Sequence, residues 1–162
     1  MLIVRATRKL LNRTGPPDLG ADEQSDTRLG QWYATALFWR PQVALFVNEE
    51  TLLPILLPLA PAATLLNRVP DHIASALAEY GASQALIDDE TQRMRESRLA
   101  KTANRSVTGT LTDFARLAEH YRDGDPDLPA LATRLAHVPC GPLYKSHTFP
   151  DREFTALIKS LG

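Results

Sequence analysis

Cysteine is almost missing from this chain. Cys140 stands alone among 162 residues, so no disulfide can close within it, and the disulfide-framework class of small secreted domains is excluded. Glycine is sparse, eight in all, and neither the phosphate loop G-x-x-x-x-G-K-[ST] nor the dinucleotide turn G-x-G-x-x-G occurs. An excess of charge is lacking too. Eighteen basic against nineteen acidic residues leave a net charge of −1, which denies the whole molecule a field able to attract nucleic acid or anionic lipid. The most apolar stretch, Val43 to Ala60, is interrupted by Asn48, Glu49, Glu50, Pro54 and Pro58, a mixture that a bilayer-spanning helix does not carry. The opening MLIVRATRKLL places Arg5, Arg8 and Lys9 after its apolar residues, the reverse of a secretory signal. Together these absences lead to the expectation of a soluble cytoplasmic protein with no membrane association.

Catalytic signatures are equally thin. His72, His120, His137 and His147 are scattered, with no H-E-x-x-H, and with Cys140 they do not assemble the four ligands of a structural zinc site, so no metal site and no cofactor is expected. No G-x-S-x-G elbow is present. Cys140, in VPCGPLY with His137 and Lys145 near in sequence, reads as a small buried thiol in a turn rather than as a nucleophile.

What the chain does contain is a succession of short strands and amphipathic helices. Leu2 to Thr7 reads as a first strand, and Asn12 to Asp26, rich in Gly, Pro and acids, as a flexible surface loop. Asp26 caps an expected helix bearing Leu29, Trp32, Tyr33, Ala36 and Leu37, ended by Pro41. Val43 to Asn48 and the run from Thr51 are read as a hairpin, with Pro54 confining the second strand to an edge, and a single longer helix after Thr51 is the competing reading. Pro70 suits a helix's first turn, Ser83 caps the next helix, and Ser97 to Thr102 is read as strand or continuing helix. The clearest helix follows Ser106, with Val107, Leu111, Phe114, Ala118 and Tyr121 at helical spacing. After a loop at Asp123 to Pro129 come a short helix to His137 and a last one opening at Phe149-Pro150-Asp151. The sum is an α+β fold in one domain, residues 1–162, with a small, mostly antiparallel sheet packed on one face against several helices.

KTANRSVTGTLTDF, from Lys101, crowds two cations, an amide and five hydroxyls into the approach to that helix. First-turn amides have no internal partners and carry the positive end of the helix dipole. With Lys101, Asn104, Arg105 and Ser106 beside them, a phosphate or carboxylate becomes a candidate guest. Arg5 and Lys9 join the same surface if the first strand pairs with residues 97–102. Capping alone accounts for Ser106, however, and Gly109 serves helix packing equally well. Trp39 and Arg40 could stack a base, although core is the cheaper fate for Trp39. Arg116 and His120 make a chance pair on a helix surface.

R-A-T-R-K-L-L at Arg5, L-G-Q-W-Y at Leu29, L-F-V-N-E-E-T-L at Leu45 and K-T-A-N-R-S-V-T-G-T at Lys101 together resemble a family of small bacterial proteins described only as a domain of unknown function. The resemblance implies a bacterial, cytoplasmic protein and transfers no catalytic residue. Three functional readings follow from the residues themselves. The first is a binding domain with an anion site at the helix start near Ser106, for a phosphate-containing ligand, a nucleic-acid backbone or an acidic protein partner. The second is a metal-independent enzyme acting on phosphoesters, with Arg105 as a clamp and a histidine such as His120 as base. The third is an accessory or antitoxin-like protein that binds another chain.

Overall fold

The computed structural model of the protein describes residues 1–122, 127–140 and 149–162. Five strands, β1 (Leu2–Ala6), β2 (Trp32–Leu37), β3 (Val43–Asn48), β4 (Pro54–Pro58) and β5 (Ser97–Lys101), form one sheet in the order β4-β3-β2-β1-β5. The helices among the described residues are α1 (Arg8–Thr14), α2 (Leu65–Glu79), α3 (Gln84–Arg93), α4 (Arg105–Tyr121), α5 (Leu128–Ala136) and α6 (Pro150–Leu161), with a 3-10 turn at Ala62–Thr64. The class is α+β, but the sheet is mixed. β1 runs parallel to both β2 and β5, while β2, β3 and β4 form an antiparallel meander. The parallel half was hidden because β1 and β5 lie some ninety residues apart and share no local signal.

Side-chain alternation divides the core. Val4, Trp32, Ala34, Phe46 and Leu57 point to one face, where Leu10 of α1, Val69 and Ile73 of α2, Leu86 of α3 and Phe154 of α6 cover them. Tyr33, Leu37, Leu45, Val47 and Leu56 point to the other, beneath Val107, Leu111 and Phe114 of α4 and Leu131 and Leu135 of α5. Both faces are covered, not one.

The hairpin of β3 and β4 stands as expected, with β4 at the sheet edge. Its prolines cost no ladder bond there. Two elements differ from expectation. Residues 32–37 form a strand rather than a helix: β2 is central and buried on both sides, so no polar face interrupts its apolar run and helical spacing arises by coincidence. Residues 8–14 form α1, whose buried contribution is Leu10 alone, too little to mark a helix in sequence. The segment after α1 has a structural task. Leu99 N donates to Asp18 Oδ1 at 2.7 Å, and the Asp18 and Leu19 amides donate to Leu99 O at 3.0 and 3.1 Å. They cover the outer edge of β5, which would otherwise expose unpaired strand groups.

One smaller correction concerns a helix end: Pro70 lies inside α2, not in its first turn. Ser83 caps α3 as expected, accepting from Leu86 N at 3.2 Å. The loop expected from Asp123 falls largely outside the described residues, as do Lys145 and His147.

Candidate functional site

β1 and β5 lie side by side and parallel, yet the chain leaves them in opposite directions. β1 leads through Thr7 into α1 on the first face, whereas β5 leads through residues 102–104 into α4 on the second. Divergence of this kind opens a crevice at the carboxyl ends of parallel strands, the usual place for ligands in such sheets. A cleft of about 640 Å³ opens at this end of the sheet. Thr7 and Thr35 line it, joined hydroxyl to hydroxyl at 2.7 Å. Lys9 of α1, Arg116, Glu119 and Arg122 at the end of α4, and Phe38 and Trp39 beyond β2 complete its walls. Arg122 donates to Glu119 Oε1 at 3.0 Å and lies 4.4 Å above the Trp39 ring.

The six residues singled out in sequence fall into three groups. Arg5 is half-buried and shares its sheet face with Ile3, opposite Val4, and it pairs in register with Ala100 of β5. Its Nη1 donates to Lys101 O at 3.0 Å and its Nε to Gln31 Oε1, so its guanidinium ties the ends of the strands together. Asn104 is the N-cap of α4, a role expected of Ser106. The Asn104 carboxamide accepts from Ser106 N at 2.9 Å and Val107 N at 3.3 Å, and the Asn104 amide donates to the Tyr33 hydroxyl at 3.0 Å. Three of the first amides at the helix start are therefore occupied by the protein itself, and Arg105 N has no partner among the described residues. Lys101, Arg105 and Ser106 are exposed on the rim, and Lys9 alone of the six lines the cleft.

α4 links the rim to the cleft. Arg105, Thr112 and Arg116 recur at i, i+7 and i+11, on one exposed stripe about 16 Å long at 1.5 Å per residue. This spacing was the one sequence signal for Arg116. Lys9, Lys101, Arg105 and Arg116 make no ion pair among the described residues. Towards the opposite, amino end of the parallel strands Arg28, Arg93 and Arg98 are paired with Asp89, Asp26 and Glu23. Hydrogen bonds from Arg28 and Arg93 hold the Asp89 carboxyl below its usual range.

Gly109 lies on α4, and a Cβ built there meets nothing within 4 Å. No neighbour requires its small size. Gly109→Ala is expected to raise unfolding stability by about 0.5–1 kcal/mol through helix propensity, read from urea unfolding.

Cys140 is buried, and burial together with nearby Asp113 pushes its thiol up to about 11. A thiol so seldom ionised is a poor nucleophile. The expected result is slow labelling by a disulfide reagent at pH 8 in the native protein, against rapid labelling once urea unfolds it. Among the described residues no group of three or more His, Cys, Asp or Glu side chains comes together to hold a metal ion, and no helix is long and apolar enough to cross a membrane. His120 is exposed and does not line the cleft beside Arg116. Trp39 is buried under Arg122, and Phe38 is the aromatic that faces solvent.

The sequence model of a family described as a domain of unknown function (DUF6933) matches residues 3–153, from β1 into the first turn of α6. No curated protein and no solved structure matches the chain.

Proposed function

The chain belongs to that family, and from its own geometry we propose that it is a binding domain whose ligand carries a phosphate group. The phosphate sits in the cleft at the carboxyl ends of β1 and β2, against Lys9 and Arg116, with the Thr7 and Thr35 hydroxyls as neutral partners. Lys101 and Arg105 extend the positive rim, and the Arg105 amide, with Asn104 and Ser106 around it, offers a further donor where the ligand is long enough to reach α4's start.

One observation carries this reading: two cations without carboxylate partners among the described residues, Lys9 and Arg116, line a single concavity. An unneutralised cation pair in a cleft attracts anions, and guanidinium and ammonium groups both suit phosphate. Assembly of a nucleophile, a base and an orienting acid is not part of the arrangement, which favours binding over turnover.

The test is calorimetric titration of the full chain with inorganic pyrophosphate. Binding that weakens steadily between about 50 and 300 mM salt, over which the screening length falls about 2.4-fold, supports the proposal. Heat changes no larger than dilution at the lowest salt overturn it.

A further inference from the structure

We infer that the ligand is a mononucleotide, with its base stacked on Phe38 and its phosphate against Lys9 and Arg116. The inference rests on the phosphate reading above and adds the ligand's other half. Phe38 is 56% exposed and is the one large apolar side chain left exposed among the described residues. It follows the last residue of β2 and lines the same cleft as the two cations. An aromatic ring held open to water contributes little to the core, whereas beside cations it is a stacking platform for a base.

Glu119 narrows the chemistry further. Its carboxylate belongs to the same cleft wall, and one of its oxygens accepts from Arg122. A ligand that is anionic at one end and offers N–H or O–H donors at the other is matched to it, as a ribose or an amino-bearing base would be. The Thr7–Thr35 pair uses one hydroxyl proton between the two oxygens and keeps the second for a ligand. Extent separates a nucleotide from a strand. Single-stranded nucleic acid is tracked by successive aromatic platforms, while here one exposed ring faces a cleft of about 640 Å³, within the range of small-molecule sites.

The experiment compares adenosine and guanosine 5′-monophosphates with ribose 5-phosphate and inorganic phosphate, each titrated into the full chain at low salt. At least one nucleotide is expected to bind on the order of tenfold tighter than ribose 5-phosphate, the contribution of one stacked base. Phe38→Ala removes that difference and leaves ribose 5-phosphate affinity unchanged, while Phe38→Tyr preserves it; the melting temperature of both variants reports that exposed position 38 leaves the fold intact. Equal affinity for nucleotides and ribose 5-phosphate, or a Phe38→Ala variant that keeps the nucleotide advantage, overturns the inference while the phosphate reading stands. A six-nucleotide single strand that binds tighter than either mononucleotide overturns it in favour of a strand. Failure of every phosphorylated compound to bind overturns both readings.

Discussion

Asn48→Ala is expected to lower the free energy of unfolding by about 3–5 kcal/mol, because four hydrogen bonds are lost and buried partners are left unpaired. Asn48 is fully buried at the end of β3. Its Oδ1 accepts from Glu50 N at 3.1 Å, Thr51 N at 2.9 Å and Thr51 Oγ1 at 3.0 Å, and its Nδ2 donates to Leu29 O at 2.9 Å. These bonds hold a turn in which Leu52 adopts a φ of 64°, a conformation costing a branched residue on the order of 1 kcal/mol. Leu29 is gripped from the other side as well, since its amide and that of Arg28 donate to the buried Glu90 carboxylate at 2.9 and 2.7 Å. Burial pushes the Glu90 carboxyl above its usual range, against the opposing pull of those two amides. One carboxamide thus joins the β3–β4 turn, the approach to β2 and, through Leu29, α3. For a domain of this size the change amounts to a fall of about 10 °C in melting temperature. Asn48→Asp keeps the three accepted bonds but sets a buried carboxylate oxygen against the Leu29 carbonyl, so its loss combines the Leu29 bond with the cost of a buried charge. Urea unfolding of both variants checks the account, and a loss under about 1 kcal/mol in Asn48→Ala contradicts it.

The second large effect concerns binding. Replacing Lys9 and Arg116 together by alanine is expected to weaken pyrophosphate affinity on the order of a hundredfold, about tenfold for each charge-assisted contact removed. Both side chains are exposed and lack ion-pair partners among the described residues, so the melting temperature should hold while affinity falls. Arg5→Ala makes the contrast. Its guanidinium is already engaged by Gln31 and the Lys101 carbonyl, so its loss loosens the end of β1 against β5 and lowers stability. Titration calorimetry beside thermal melting separates the two cases. Equal affinity for pyrophosphate in the double variant and the native chain contradicts the site.

Legibility in sequence followed the locality of the signal. β3 and β4 announce themselves because two apolar runs flank a polar turn, and α4 because five apolar residues recur over four turns. β2 was misread because Trp32, Tyr33, Ala36 and Leu37 fit helical spacing as well as they fit a strand buried on both faces. The cap of α4 was displaced by two residues because Thr102, Asn104 and Ser106 are all competent cap formers; Tyr33, seventy-one residues away, takes the Asn104 amide and helps decide between them. The blocks at Leu45 and Lys101 that carry the family resemblance contain the Asn48 turn and the Asn104 cap, so much of that pattern is explained by hydrogen bonding in the fold. Arg5 and Lys9 were legible as cations near the end of a strand, but that the fold engages the first and leaves the second open depends on the register of β1 with β5. Arg116 could have been found from the stripe it shares with Arg105 and Thr112. The Thr7–Thr35 pair could not, because it arises only when β1 and β2 lie parallel.

The most direct test of a phosphate site at the carboxyl ends of the parallel strands is amide chemical-shift mapping on the isotope-labelled full chain during pyrophosphate titration. The account predicts saturable shifts at Thr7, Lys9, Thr35 and residues 112–116, with Arg105 moving less and the opposite edge around Glu96 unmoved. Shifts centred on the acidic edge, or none anywhere at millimolar ligand, contradict it.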